Sequence, residues 1–382
     1  MSIRLLHLAD LHLGYRPGRL GDRAGDRRAE FTVAFRRAIE FALDEEQFID
    51  AVMVVGDLFE RHRPEQSDVE LVRSQFQRLD EAGKPIILVP GTHDGLQYPN
   101  CVYREESFPG MELIDTPNVG QPLTFTLNGE QAHFYGLAYQ PGRSKTPLDV
   151  FQAADVTGRH VTLIHGSLMH NPEWEAHTRD IPLHLESLLE SGMDYIALGH
   201  YHSFQEYGNG QPAVVYCGGL ERKNVKEKSE RMLVVAELGD DGTRVEKTPY
   251  PARLVVNDSL DISPLEEYSP ETLAQEVRRR APEGAILDLR LEGSAEEPID
   301  TESLRKQLMP SYLFHLHIDD QTLLWHSGRL EQWASEPTVR GRFTRRMMEK
   351  IRQAPPEDVS TLNLALKLAL VEFMRDDQEN TI

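Results

Sequence analysis

Two carboxylates and four imidazoles in this chain each follow closely on a short apolar run. Asp10 and His12 come after 3–9, Asp57 after 51–55 and a glycine, His165 after 161–164, and His200 and His202 after 195–198 and a glycine. His93 and Asp94 follow a fifth run, 86–89. Uninterrupted apolar runs of this length read as buried strands, and a polar residue just past a strand's carboxyl end is placed to work rather than to pack. If these strands share a sheet, their polar residues converge on one edge. Carboxylate and imidazole donors together suit Mn, Fe or Zn better than a thiolate-selecting ion. One cation rarely takes so many side chains, whereas two cations about 3.5–4 Å apart, bridged by a carboxylate, use them all. A lone histidine is more often a core or surface residue than a ligand, but that reading does not account for six residues in the same strand-end position. His7 lies inside the first run, away from its end, and reads as structural. His133, His160, His170, His177, His184 and His326 have no such placement.

The elements that must position these side chains follow from periodicity. Phe31, Phe35, Ile39 and Ala42 fall at helical spacing within a helix expected from about residue 28 to 46, between the first two strands. A second amphipathic helix carries Val69, Val72, Phe76 and Leu79, and Gly83 and Pro85 end it before the third strand. Alternating strands and helices open an α/β layer. From Glu112 the texture changes: 123–127, the turn Asn128-Gly129 and 132–137 read as a hairpin, so parallel and antiparallel pieces are mixed. Helical sequence is expected at 183–190, and strands at 213–217, 232–238 and 244–250.

Pro249 and Pro251 suggest a boundary near residue 252. Beyond it the pattern gives strand (254–262), helix (270–280, with Ser269 as N-cap), strand (286–291), helix (301–308) and strand (312–318), a small α+β domain over 253–335. The remainder, 336–382, reads as two helices interrupted at Pro355-Pro356. The last carries Leu362, Leu366, Leu370 and Phe373 on one face, with Leu364, Leu368 and Val371 on a neighbouring one. That is more apolar width than a lone surface helix leaves in water, so it docks either on its own protein or on a partner helix.

Composition bounds the class. The chain has 382 residues, 40% of them hydrophobic, as in an ordinary globular protein with a large domain and a smaller one. No basic head with an apolar centre marks a leader, and no apolar run approaches the roughly 20 residues that cross a bilayer, so a cytoplasmic protein without membrane contact is expected. Two cysteines, Cys101 and Cys217, argue against a disulfide framework. A formal charge of −21 sits awkwardly with nucleic-acid binding, which usually leaves a basic footprint. The exception is local: Arg16, Arg19, Arg23, Arg27 and Arg28 cluster after the first motif and are the candidates for a DNA-contacting patch. For each basic run taken singly, a solvated face is the plainer reading.

In order along the chain, Asp10-Leu11-His12, Gly56-Asp57, Gly91-Thr92-His93-Asp94, His165-Gly166 and Gly199-His200-Tyr201-His202 resemble the five motifs of the calcineurin-like metallophosphoesterases. The longer stretches HLADLHLGYR, VVGDLFERHRP, IPLHLESLLESGMDYIALGHYH and VVYCGGLER resemble the DNA-repair exonuclease branch, bacterial SbcD and its Mre-type counterparts. The resemblance implies an α/β fold with a β-sandwich flanked by helices, a capping domain that helps grip DNA, and tail helices that bind an SMC-like, SbcC-type ATPase in a homodimeric assembly. It implies that Asp10, His12 and His202 hold one metal, that His165 and His200 hold the second, that Asp57 bridges them, and that His93 stands near the leaving oxygen. Asp94 then orients that loop or His93, and manganese is preferred because oxygen donors are plentiful and no cysteine competes.

Two positions depart from the pattern. Thr92 stands where the family has an asparagine that ligates the second metal, so a weaker second site is expected. Glu60 stands where the nuclease branch often has a histidine, and His62 is the nearby candidate to replace it. Three functions follow: a DNA nuclease, a phosphodiesterase or phosphatase for a small substrate, and a weakly active or non-catalytic repair scaffold.

Overall fold

The computed structural model describes residues 2–115, 121–138, 152–169, 181–208, 212–224, 227, 229–265, 268–295, 298–309, 311–324 and 327–379. His170, His177 and His326 lie outside them. The chain divides into two compact units, Met1–Ala252 and Arg253–Ile382. No helix among the described residues is long and apolar enough to cross a membrane.

The strands of the first unit are, in chain order, β1 (Ile3–Leu8), β2 (Ala51–Val55), β3 (Ile86–Val89), β4 (Met111–Leu113), β5 (Leu123–Leu127), β6 (Glu130–Leu137), β7 (Arg159–His165), β8 (Ser167–Leu168), β9 (Pro182–Leu183), β10 (Tyr195–Gly199), β11 (Gln205–Tyr207), β12 (Ala213–Tyr216), β13 (Arg231–Gly239) and β14 (Gly242–Tyr250). They build two six-stranded sheets, ordered β14-β13-β1-β2-β3-β4 and β11-β12-β10-β7-β6-β5. At the centre of each sheet the strands are parallel. Leu8 lies beside Val54 and Val55 beside Val89 in the first sheet, and Gly199 beside His165 in the second. The outer hairpins are antiparallel, and the β5–β6 turn has Asn128 and Gly129 both at positive φ (44° and 82°), as a two-residue hairpin of primed type requires.

Both faces of each sheet are covered, which is why the central strands are apolar throughout instead of alternating. Leu6, Leu8, Val52 and Val54 face helices α1 (Ala24–Leu43) and α2 (Gln66–Glu81), where they meet Phe35, Ile39, Val72 and Phe76. The alternate residues Ile3, Leu5, Met53 and Val55 face the other sheet, packing with Phe134, Val161, Leu163 and Ala197. His7 points into that intersheet layer and is structural. It is 1% exposed, with Nδ1 2.9 Å from the Tyr195 hydroxyl. The far side of the second sheet buries Tyr135, Ile164, Ile196 and Tyr216 near the short helix α4 (Leu185–Leu189), which follows α3 (Val102–Glu105) in the chain.

Helix α1 starts four residues before the expected Arg28, and this changes its inner face. Arg27 becomes the head of the buried stripe that continues through Phe31, Ala34, Phe35, Ala38, Ile39 and Ala42.

The second unit has a parallel three-stranded sheet of β15 (Val255–Asp261), β16 (Ile286–Glu292) and β18 (His315–Asp320), and a small two-stranded ladder of β17 (Ser294–Ala295) and β19 (Leu323–Leu324). Helices α5 (Pro270–Arg280) and α6 (Thr301–Leu308) pack on it. Ser269 Oγ accepts the Thr272 N–H at 3.3 Å, capping α5 at the residue expected from sequence.

The two helices expected over 336–382 are α8 (Val339–Gln353) and α9 (Pro356–Glu379), separated at Pro355-Pro356, and a further helix not expected from sequence, α7 (Ser327–Ser335), precedes them. Thr338 accepts the Gly341 N–H at 3.0 Å, so the break between α7 and α8 is a capped start and not a loop. Trp333, Leu366 and Leu370 are buried in the core of this unit with Leu273, Leu287 and Leu316. Helix α9 thus docks one apolar face on its own unit, while Leu364 and Leu368 remain exposed. The Val371 side chain lies outside the described atoms.

Candidate metal centre

The carboxyl ends of β1, β2 and β3 meet those of β7 and β10, and backbone bonds stitch the ends together. Asp10 N–H donates to Gly56 O (3.1 Å), and His12 N–H to Asp57 O (2.9 Å). Between the sheets, His200 N–H donates to the Asp10 carboxylate (3.0 and 3.2 Å). Close approach depends on glycine. A Cβ on Gly56, at φ +79°, would fall 2.2 Å from His165 Nδ1, and one on Gly91 would fall 2.2 Å from Asp57 Oδ1. Asp10, His12, Asp57 and His200 have left-handed or strained φ of 52°, 46°, 52° and 106°. Each such conformation costs on the order of 1–3 kcal/mol, and strain of this kind collects where function requires a side chain to be aimed.

The imidazoles are anchored through Nδ1. His12 Nδ1 lies 2.9 Å from Glu60 Oε2, His202 Nδ1 2.9 Å from Glu227 Oε1, and His165 Nδ1 3.0 Å from Val55 O. With Nδ1–H given to these acceptors, each Nε2 keeps its lone pair. Two of those atoms, on His12 and His202, stand 3.1 Å apart. The third, His165 Nε2, is buried, makes no hydrogen bond, and lies 3.4 Å from Asp57 Oδ2. Facing lone pairs and an orphaned buried nitrogen beside two carboxylates fit a cation well. Three groups of donor atoms close enough to share an ion are present among the described residues: Asp10, His12 and His202; Asp10, Asp57 and His165; and His12, Glu60 and His93.

The charges support one another. Burial alone would raise the Asp57 carboxyl, but His165, His12 and His93 hold it well below its ordinary range. Burial would lower His165, yet the Asp57 and Asp10 carboxylates push it up to about 10, so without a cation its Nε2 takes a proton, the position that an ion would take over. Glu60 is brought down to about 2, because His12 and Lys223 outweigh its burial. Asp94 moves the other way, pushed up by burial and by Asp57. It is fully buried and accepts from Gly91 N–H (2.8 Å), Phe59 N–H (3.1 Å) and the Tyr103 hydroxyl (2.7 Å), which pins the 91–94 loop to the end of β2.

The remaining residues singled out from sequence are placed less uniformly. His93 is 39% exposed, with Nδ1 2.9 Å from Glu60 O and its ring edge-on to His12. Thr92 donates to Asp57 Oδ2 at 3.2 Å. His200 belongs to none of the donor groups, and its ring packs edge-on against His165 with centroids 5.2 Å apart. His62 stacks on Tyr98 and is likewise outside the groups.

The arginine cluster divides. Arg16 and Arg19 are exposed and Arg23 pairs with Asp26 (3.0 Å), while Arg28 is shared by Glu65 and Asp68. Arg27 cannot serve as a surface contact. It is 1% exposed, bonded to Glu221 at 2.7 Å, to Arg222 O and to Glu30, because it heads the buried stripe of α1. Sequence reasoning missed Lys223, Glu227 and Arg231 altogether and treated Glu60 only as a departure. Lys223 bonds Glu60 (2.8 Å), and Arg231, buried, bonds Glu227 (2.5 Å). The run of eight charges among eleven residues, from Glu221 to Arg231, is the signal that could have found them.

Residues 3–204 match the model of the calcineurin-like phosphoesterase family. A DNA double-strand break repair protein Mre11 of Haloferax volcanii is 29% identical over 314 residues, 78% of this chain and 64% of that relative, so the chain spans just under two thirds of its length. A second Mre11, from Halobacterium salinarum, is 26% identical over 77% of this chain and 71% of its own. An uncharacterized metallophosphoesterase of Bacillus subtilis, YhaO, is 26% identical over 345 residues, 84% of this chain and 82% of the relative. With the matched segment covering both sheets up to β10 and every strand end described above, the chain belongs to the calcineurin-like phosphoesterases, hydrolases of phosphoric esters.

Proposed function

We propose that this chain is a metal-dependent DNA nuclease of double-strand break repair, hydrolysing phosphodiesters at a two-cation centre. The observation that carries the metal reading is the set of Nδ1-anchored rings whose Nε2 atoms converge on Asp10 and Asp57, with His165 Nε2 buried and unbonded. Asp10, His12 and His202 would hold one cation, His165 and His200 the other, and Asp57 would bridge them. Manganese suits this oxygen- and imidazole-rich set. When bound, the cations supply Lewis-acid activation of water and of the phosphoryl oxygens.

The chain's own groups do the rest. Glu60, Glu227 and the Val55 carbonyl keep protons on the Nδ1 atoms, so the lone pairs stay turned toward the ions. His93, held through its Nδ1–H by the Glu60 carbonyl, would carry a second proton on Nε2, give it to the departing sugar oxygen and be left as the neutral ring. Asp94 fixes the loop that carries His93. Thr92, bonded to Asp57 where the family has asparagine, makes the second cation the weaker one.

The relatives named Mre11 support DNA as the substrate, and exposed Arg16 and Arg19 are the part of the basic cluster fit to meet its backbone. Residues 253–335 are assigned to capping the site and 336–382 to binding an SMC-like ATPase, for which Leu364 and Leu368 offer an exposed apolar edge on α9. A cytoplasmic homodimer completes the assignment. A second reading, hydrolysis of a small phosphoester, draws support from the charge of −21 and the inward turn of Arg27.

Linear and hairpin DNA, and bis-para-nitrophenyl phosphate, incubated with the protein and Mn distinguish the two. The expected result is DNA cleavage by the wild type and none by Asp57→Asn, with both equally folded by circular dichroism. Turnover of the small ester with intact DNA would transfer the assignment to the second reading, and full activity in Asp57→Asn would remove Asp57 as the bridge.

A further inference from the structure

The loop after β12 contains an arrangement that ligation alone does not call for. Lys223 donates to both carboxylates that anchor the first pair of rings: its ammonium to Glu60 Oε2 (2.8 Å) and its backbone N–H to Glu227 Oε2 (3.1 Å). Glu60 in turn holds His12 Nδ1 and Glu227 holds His202 Nδ1, each at 2.9 Å. One residue thus ties together the supports of two rings whose Nε2 atoms stand 3.1 Å apart. Lys223 is itself restrained. Its side chain is 13% exposed, its ammonium lies 4.9 Å over the Tyr15 ring, and the Tyr15 hydroxyl donates to its carbonyl at 3.1 Å. A cation so enclosed and paired is a fixed part of the site and not a mobile surface charge.

We infer that Lys223 is a positioning residue that, by clamping Glu60 and Glu227, makes His12 and His202 present Nε2 to one cation together. This rests on the metal-centre reading above. An imidazole offers Nε2 to a cation only while Nδ1 carries the proton, so each ring needs a fixed acceptor at Nδ1. The Lys223 ammonium also stands 3.2 Å from His12 Nδ1. With Glu60 present, the carboxylate accepts from both the ring and the ammonium. Without it, the ammonium donates to Nδ1, the proton moves to Nε2, and His12 turns an N–H toward the cation. The pair therefore works as a unit: Glu60 chooses the tautomer and Lys223 keeps Glu60 from rotating away.

The test uses the full chain stripped of metal and titrated with Co(II), followed by visible absorption and calorimetry, with thermal unfolding as the check that each variant folds. Glu60→Gln and Lys223→Met are close in size to the residues they replace. Loss of such an outer partner weakens metal binding about 10- to 100-fold, so Glu60→Gln is expected in that range and Lys223→Met near its lower end. The decisive variant is the double one. Removing the ammonium also removes the donor that misdirects His12, so Glu60→Gln/Lys223→Met binds Co(II) no more weakly than Glu60→Gln alone. Wild-type affinity in folded Lys223→Met, or a double-variant loss equal to the product of the two single losses, overturns the inference. Ester turnover measured on the same samples reads the proposed function separately, so the two fail independently.

Discussion

His7 gives the sharpest quantitative prediction, because it is a titratable group sealed between two sheets and away from the strand ends. It is 1% exposed, its Nδ1 meets the Tyr195 hydroxyl at 2.9 Å, and its Nε2 has no hydrogen-bond partner. Burial pulls it down from 6.5 to about 3. The folded chain therefore keeps His7 neutral at pH values where the unfolded chain protonates it. Above pH 6.5 the ring is neutral in both states and contributes nothing to the pH dependence. Below 6.5 the unfolded state binds a proton the folded state refuses, and stability falls as the pH falls, until about pH 3.

Each pH unit in that window costs about 1.4 kcal/mol, so His7 alone removes about 2 kcal/mol between pH 6.5 and 5. The assay is urea unfolding of the metal-free wild type and of His7→Phe at half-unit steps from pH 7.5 to 4.5. Losing the Tyr195 bond offsets the variant by a constant of about 1 kcal/mol at every pH. What the argument requires is convergence: the wild type should lose the extra 1.4 kcal/mol per unit below pH 6.5 and the variant should not. Parallel profiles would refute it, since other titrating groups are common to both proteins and cancel in the comparison.

Two further outcomes follow from packing. Arg27→Met should cost about 3–5 kcal/mol by urea unfolding, because it leaves Glu221, itself buried, facing Glu30 with its principal cation gone. A change under 1 kcal/mol would return Arg27 to the surface cluster. Gly56→Ala puts a methyl 2.2 Å from His165 Nδ1 at a φ of +79°. It is expected to lower stability by about 1–3 kcal/mol from the backbone alone, and to drop the metal content by one of two equivalents, measured by elemental analysis. Retention of both equivalents would show that the ring has room to shift.

Much of the fold is legible in sequence for one physical reason. Parallel strands covered on both faces must be apolar end to end, so 51–55 and 195–198 announce both the strand and the point where it stops. The assembly of Asp10, Asp57 and His165 in one place follows from those stops. Glu60, Lys223 and Glu227 are not legible in the same way. Charged residues on loops look like solvated surface, and the Lys223–Glu60 pair joins positions 163 residues apart. Arg27 looks outward in sequence because the apolar spacing starts the helix at about residue 28, one residue beyond it, and because its partner Glu221 comes from the far end of the domain. Helix α7 is not legible in sequence because its apolar residues are few and its stability comes from packing Trp333 into the second unit.

The left-handed backbone of Asp10, His12, Asp57 and His200 carries a consequence for how this protein changes under mutation. Glycine adopts those conformations at no steric cost, so replacing any of the four relieves tension on the order of 1–3 kcal/mol while deleting a donor. Selection for robustness alone would drift toward such replacements, and the chain would end as a sturdier protein with no chemistry. Side chains held in a backbone that glycine would take at no cost are what the proposed metal centre would require at these four positions.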